Sequence, residues 1–484
     1  MDRRAEVIEE LRTLIAKQAA QLAQQAARIA ELELALAKAQ KNSATSSKPP
    51  SSDLTNPPPK RKRPGCRKTP RCGAQPGHPR HLREPLPPER VDETLDYEIT
   101  EEDIHRLHLT PTGAFDLIQH IELPEVPVQV TAHRLAVYRA PDGALYIPDV
   151  PDVPEVHGPI FGPRLLATIG WLKSVGHLSY SAVEAWMEDV LQVPVSRGYL
   201  AKLCTGPIAA SLADAYEELI AAIPRQDQLG SDETSLKDNG KTHWIWCITA
   251  ATFSVFHIAA TRSRAVLEKL IGPEFTGYLN FDYFSANRSF AWTFWIKAQY
   301  CWAPLIRDIR FLQTHPDPPT QAWAEQLLER ARRLFAAWHR RDEMATAGFH
   351  RSMITHRDRF LQVVRHPPAP KEAQTLAARF VLVAYTTVES SAPAPYDLAQ
   401  DYFRFMFADG VEPTNNHSEQ QIRHCVIDRR ITQGTRGAAG QRYHERMWTA
   451  IATCRKQQRN FFSFLHDSIK AKIANHPAPS LLRA

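Results

Sequence analysis

The sequence predicts an α/β domain with a mixed β-sheet, split by a helical insertion and preceded by a long amphipathic helix. Three observations predict it. Four β-type runs lie between Gln226 and Asp282 with one helical segment among them, helical periodicity returns from Gln321 to Leu382, and apolar positions recur in steps of three and four from Ile8 to Ala39. With 484 residues, 43% of them hydrophobic, the chain can build about three units of roughly 150 residues each.

Residues 1–41 form the amphipathic helix, with Ile8, Leu11, Ile15, Gln18, Leu22, Gln25, Ile29, Leu32, Leu36 and Ala39 in a heptad seam. Glutamines at two consecutive inner positions weaken such a seam but fix register and partner number. Self-association through a coiled coil is the reading, and a single helix packed on the body is its alternative. Residues 42–85 are rich in Ser and Pro and poor in large apolar side chains, which makes them a linker. It contains a basic run, Lys60 to Arg71, with seven Lys or Arg in twelve residues and no acid. Headed by Lys60, Arg61, Lys62 and Arg63, this run either binds DNA phosphates through counterion release or is a solvated tether. The formal net charge is only +6, so the gathering of charge matters more than its total.

Residues 86–155 carry short β-type runs such as VPVQVTAHRLAVYRA, followed by a turn signal at Pro141 to Gly143, and predict a small β-containing module. Residues 156–225 turn helical: RLLATIGWLKSVG, then SYSAVEAWMEDVL, then RGYLAKLC behind an N-cap at Ser196. Two short helices at a tight turn are either a DNA-reading helix-turn-helix or a packed hairpin. Residues 226–310 give the first part of the α/β core. Residues 311–410 form the insertion, with Trp323, Leu327, Leu334 and Trp338 along one side. Residues 411–484 complete the core, beginning with a helix that starts after Thr414 to Asn416, where Asn is a favoured cap.

Composition narrows the function classes. The start, MDRRAEVIEELRTL, mixes acids and bases where a secretory signal needs an apolar core, and no apolar run approaches membrane-spanning length. A cytoplasmic protein without membrane partners is expected. Seven cysteines, scattered over more than 380 residues, build no disulfide framework and agree with a reducing compartment.

The candidate chemistry rests on three acids. Asp232 interrupts the first β-type run, Asp282 closes the fourth between Phe281 and Tyr283, and Glu419 lies in the first turn of the late helix, with Arg423 one turn later. Strand ends in α/β sheets are where polar side chains can converge without disturbing the core. Carboxylates are the hard donors that Mg²⁺ prefers, and two such ions about 4 Å apart can activate a nucleophile and stabilise the leaving oxygen of a phosphodiester. Arg423, Arg429, Arg430 and Arg436 surround Glu419 in the sequence, either to hold a polyanion beside the cations or to form a structural ion-pair network.

KNSATSSKPPSSD at Lys41 to Asp53, GAQPGH at Gly73 to His78, SDET at Ser231 to Thr234, GYLNFDYFSAN at Gly277 to Asn287, CWA at Cys301 to Ala303 and TNNHSEQQIRHCVIDRRITQGTRG at Thr414 to Gly437 stand in order. In these blocks the chain resembles the transposases of insertion sequence family sixty-six over nearly its whole length. The resemblance implies a DDE-type transposase with an RNase-H-like catalytic core, in which Asp232, Asp282 and Glu419 are the three acids and hold two Mg²⁺ ions, with Mn²⁺ as a substitute. The fold class it implies is an α/β RNase-H-like core with a helical insertion, behind an N-terminal coiled coil and a mixed α+β DNA-binding region. It further implies cleavage of double-stranded DNA at the element's terminal repeats and strand transfer into target DNA by a homo-oligomer at the nucleoid, with accessory proteins of the same element as further partners. A DNA-binding protein without catalysis and a nuclease without strand transfer are the rival functions.

The chain departs from the family pattern in places. The CxxC pair usual after the QPGH block is missing, LDYEITEEDIHRLHLTPTG standing in its place, and structural zinc is not expected. Cys66, Cys72, His78 and His81, with five, five and two residues between them, do not follow common zinc spacings. Pro304 replaces the histidine usual after CWA, Gln420 the arginine usual after the glutamate, and Gly437 a serine.

Overall fold

The computed structural model describes residues 2–42, short stretches between 45 and 146, and residues 161–380 and 400–482. Two compact units divide the chain, one of residues 1–59 with 135–484 and one of residues 60–134. In the second, Gln119 exchanges two hydrogen bonds with the backbone of Leu86, accepting from its N–H at 2.6 Å and donating to its carbonyl at 2.9 Å.

The first unit opens with α1 (Asp2–Ala39), one continuous helix of 38 residues. Its heptad residues Ile8, Leu11, Ile15, Leu22, Ile29, Leu32 and Leu36 are all exposed, by 50 to 65%. Among the described residues, contact with the body falls on another face, near the C-terminal end. There Leu34 and Ala37 pack on the core, Lys38 pairs with Glu372 at 2.8 Å, and the Lys41 ammonium sits 3.8 Å from the Phe311 ring centroid. A short antiparallel ladder pairs Tyr138–Arg139 with Leu145–Tyr146 around a turn at Pro141 and Asp142, where the turn signal lies.

Helices α2 (Pro163–Ser174), α3 (Tyr180–Asp189), α4 (Arg197–Leu203) and α5 (Ala213–Ala222) follow, with a π-helical turn Cys204–Ile208 and a single helical turn Ala209–Ser211 between the last two. Ser179 and Ser196 cap α3 and α4, accepting from Ala182 N at 3.1 Å and Tyr199 N at 3.2 Å, as the cap residues require.

The sheet has five strands, β1 (Gln228–Asp238), β2 (Lys241–Thr249), β3 (Ser254–Ala259), β4 (Tyr278–Phe281) and β5 (Lys297–Tyr300), in the order β3-β2-β1-β4-β5. The first three form an antiparallel meander, while β4 runs parallel to β1 and β5 parallel to β4. Asn239 and Gly240, with φ of 46° and 79°, make the tight turn between β1 and β2, a place where left-handed backbone suits these two residue types. The parallel pairs need crossovers, which α6 (Arg264–Leu270) and α7 (Ser285–Thr293) supply.

β5 and α7 lie outside the sequence expectation of four strands, and Asp282 stands one residue past the end of β4 rather than closing it. β5 is only four residues long and carries a fully buried Gln299. That amide donates to the Tyr300 and Tyr402 carbonyls and accepts from Phe405 N at 3.0 Å, so partners distant in sequence make a polar residue tolerable inside.

α8 (Trp302–Leu312) leads out of the core into the insertion, which comprises α9 (Pro318–Trp338), α10 (Thr346–Val364) and α11 (Lys371–Ala377). Trp323, Leu327, Leu334 and Trp338 are buried, as their spacing predicts. Fully buried Trp302 anchors the insertion: its ring lies 5.3 Å from both Phe335 and Phe360, and its indole N–H donates to the Tyr402 carbonyl at 2.6 Å.

α12 (Asn416–Thr432), α13 (Ala438–Lys456) and α14 (Phe461–Ile473) complete the chain. α12 and α13 cover the sheet face of Leu236, Cys247 and Phe256 with Ile422, Cys425 and Trp448. Along edge strand β3 the backbone N–H groups of Ser254, Phe256 and Ile258 donate to Thr453, Thr449 and Glu445 of α13. One helical turn advances about 6 Å over four residues and a strand about 6.6 Å over two, so the two rows stay in step and the edge is closed to further pairing.

Candidate active site

Strand register brings the first two acids together. β1 and β4 pair in parallel, Gly230 opposite Asn280, and two residues further along each strand direction stand Asp232 and Asp282. Side chains alternate along a strand, so Gly230, Asp232 and Leu236 share the face that α12 and α13 cover.

The third acid arrives by close packing of α12 on that face. Gly230 is where the helix touches: a Cβ there would lie inside contact distance of Ser418 Oγ and 3.0 Å from Asn415 Oδ1. The segment ahead of the helix is clamped. Asn280 donates to the Glu412 carbonyl at 2.7 Å, Trp302 N to the Pro413 carbonyl at 3.0 Å, and Asn415 N to Cys301 Sγ at 3.1 Å. Asn415 occupies the cap position, but its side chain does not cap α12 as the sequence suggests; it crosses to β1 and donates to the Ser231 carbonyl at 2.7 Å. Tertiary context thus overrides the local capping preference. Asn415→Ala removes a buried bond between α12 and β1, and should cost about 1–3 kcal/mol in urea unfolding.

Charge accumulates at this convergence. Burial, then repulsion from Glu233, Asp282 and Glu419, holds Asp232 well above the ordinary carboxylate range. Burial also raises Asp282, against the opposing donors Phe284 N at 3.1 Å and Asn287 Nδ2 at 3.2 Å and the charges of Arg262 and Arg307. A fourth carboxylate, Glu233, is raised by its burial and by Asp282, although Arg262 Nε donates to it at 2.9 Å. Arg262 is itself held by stacking on Phe284, 3.6 Å from the ring centroid. Glu419 faces Arg307 of α8 at 3.8 Å.

Among the described residues no three His, Cys, Asp or Glu side chains form a closed metal-ligand set. The acids meet electrostatically without making a cage. Their chemistry still fits a divalent cation: hard oxygen donors, largely withdrawn from water, carry more negative charge than Arg262 and Arg307 offset.

The arginines of α12 and its following loop separate into two kinds. Arg423, Arg430 and Arg436 are exposed. Arg429 is half-buried and donates to Thr234 Oγ1 at 2.7 Å and to the Ser235 carbonyl, bracing α12 on β1. The loop after α12 is fixed by Asp238, which accepts from Thr435 Oγ1 at 2.7 Å and Gly437 N at 2.8 Å. Lys60, Arg61, Lys62 and Arg63, and the Cys66, Cys72, His78 and His81 set, lie outside the described residues. The five cysteines that are described, Cys204, Cys247, Cys301, Cys425 and Cys454, are free and buried.

Sequence reasoning missed Glu233, Arg262, Asn280, Asn287 and Arg307. Glu233 adjoins Asp232 inside the SDET block, and that adjacency was the one local signal available. The others act across the fold and leave no mark in local spacing.

Residues 158–443 match the Transposase IS66 family, and residues 2–84 match a family of unknown function (DUF6444). No curated protein and no solved structure matches the chain. The first match contains the five-stranded sheet, the insertion and all three acids, and it covers more than half of the sequence. Among the described residues no helix is long and apolar enough to cross a membrane. A DNA-processing function in transposition follows from the larger match, and the chain belongs to the IS66 family of transposases.

Proposed function

We propose that the protein is a DDE-type transposase with an RNase-H-like core, in which Asp232, Asp282 and Glu419 hold two Mg²⁺ ions, or Mn²⁺ in their place. The observation that carries this reading is the parallel register of β1 and β4, which sets Asp232 and Asp282 equally far beyond a paired Gly230 and Asn280. Three antiparallel strands followed by two parallel ones, with Asp232 on one inner strand and Asp282 just past the end of the adjacent one, support the RNase-H-like assignment. Bound there, the cations would activate water or a 3′ hydroxyl and neutralise the leaving oxygen of a phosphodiester.

The chain's own residues prepare the site. Asn287 and Phe284 N orient the Asp282 carboxylate, Arg262 fixes Glu233 behind it, and Asn415 and Ser418 seat the helix that carries Glu419. The exposed Arg423, Arg430 and Arg436 lie on the same helix and its following loop, suited to hold DNA phosphates beside the acids. The exposed seam of α1 from Ile8 to Leu36 pairs with a second copy as a coiled coil, Gln18 and Gln25 each facing its counterpart, because two DNA ends need two protein copies. The protein acts in the cytoplasm on nucleoid DNA.

The test is incubation of purified protein with Mg²⁺ and labelled duplex bearing the native element ends, beside Asp232→Ala. Metal-dependent nicking and joining by wild type alone is the expected result. Nicking without joining would make the protein a nuclease, and binding without cleavage would make it a DNA-binding protein.

A further inference from the structure

The helical insertion carries a charge distribution that the three acids do not use. Between Pro318 and His366 there are nine arginines and no lysine, against five acidic residues. Arg330 and Arg333, three residues apart, neighbour each other on α9, and Arg340 follows in the turn just past its end. α10 packs beside α9 and presents Arg359 together with His356. The four guanidinium groups gather around that imidazole: burial first, and then the charges of Arg359, Arg333, Arg340 and Arg330, lower its pKa. Of the four, Arg333 alone has an acidic partner among the described residues, Glu329 one turn back.

Unneutralised like charges repel, and a merely solvated helix face would intersperse acids with its bases. Arginine instead of lysine offers a planar fork that bonds phosphate oxygens in pairs. A groove of about 520 Å³ between the two helices runs on from Arg330 and adds the polar side chains of Gln326, Gln362 and His366. At 21 residues α9 is about 30 Å long, close to one turn of duplex at about 34 Å.

We propose that Arg330, Arg333, Arg340 and Arg359 form a second DNA-binding surface on the insertion, one that grips the duplex backbone without reading sequence. It rests on the transposase reading only for the identity of the polyanion.

The test uses the full chain carrying Arg340→Gln with Arg359→Gln, both exposed and without acidic partners among the described residues. Affinity for a labelled random-sequence duplex and for an element-end duplex is measured by fluorescence anisotropy across a salt series. Loss of two phosphate contacts should make the slope of log K against log salt shallower by about 1.8, and weaken both duplexes by the same factor. The Arg340→Lys with Arg359→Lys protein should keep the slope, and thermal midpoints should coincide with wild type. An unchanged slope in the glutamine variant overturns the proposal, as does a loss confined to the element-end duplex. Absence of metal-dependent cleavage by wild type, with the slope change still seen, would sink the catalytic reading while this one stands.

Discussion

Replacing Asp232 with asparagine is expected to abolish metal-dependent DNA cleavage and at the same time raise the thermal midpoint of the metal-free protein. The two effects have one cause. Asp232 is partly buried and feels Glu233, Asp282 and Glu419, each of which raises its proton affinity, so the ionised carboxylate destabilises the fold that holds it. Asparagine is nearly isosteric, keeps an acceptor for the Glu233 N–H now made at 2.9 Å, and removes the charge. Cleavage should fall at least about a thousandfold, equivalent to roughly 4 kcal/mol of transition-state stabilisation. The midpoint without metal should rise by about 2 °C or more.

The pH dependence has a definite sign. Asp232, Glu233 and Asp282 all have folded pKa values above those of free carboxylates. The native state therefore binds protons more readily than the unfolded chain, and this contribution to stability is present in acid and is lost as pH rises from about 4 through the raised values. Metal-free wild type should lose stability over that window, and Asp232→Asn should lose less. Mg²⁺ added at neutral pH should stabilise wild type, since it binds the native state alone, and leave the variant nearly unmoved. Scanning calorimetry at several pH values, with and without Mg²⁺, reads all of this. A variant that cleaves like wild type, or a metal-free midpoint well below wild type, would sink the assignment of Asp232.

What could be read from the sequence divides along the distance over which each feature is determined. β1, β2 and β3 carry six or more residues each with apolar and β-branched patterning, so their existence, and the anomaly of Asp232 among them, is a local matter. α9 announces its buried side through Trp323, Leu327, Leu334 and Trp338 for the same reason. β5 does not, because Gln299 owes its burial to carbonyls and an N–H contributed by residues 300 to 405. Within the site, the three acids stand out by context, yet the cation facing Glu419 is Arg307 on α8 and not Arg423 one turn along. Arg429 and Arg430 are adjacent and alike in sequence, but one braces β1 and the other is exposed. Which of two neighbouring arginines points inward is fixed by what packs there, and Thr234 and the Ser235 carbonyl lie almost two hundred residues earlier in the chain.

Gly230→Ala should be the most damaging single-methyl addition near the site, and Ser418→Ala should relieve much of it. Gly230 is a strand residue in ordinary extended backbone, so left-handed geometry is not what requires glycine there. The requirement is proximity: the added Cβ would press on Ser418 Oγ and come 3.0 Å from Asn415 Oδ1, on the turn that seats Glu419. Overpacking of this kind costs about 1–3 kcal/mol, and because the helix must lift or rotate to accommodate it, cleavage should fall further than stability. Ser418 Cβ would lie 3.7 Å from the new methyl, an ordinary contact, so deleting only the hydroxyl removes the nearest obstruction. That hydroxyl has no hydrogen-bond partner in its buried position, so Ser418→Ala alone should be neutral or stabilising. The double variant is then expected to recover about 1 kcal/mol relative to additivity, along with part of the cleavage rate. Strictly additive unfolding energies in that cycle would mean that α12 does not rest on β1 at Gly230, and the position given to Glu419 would have to be abandoned with it.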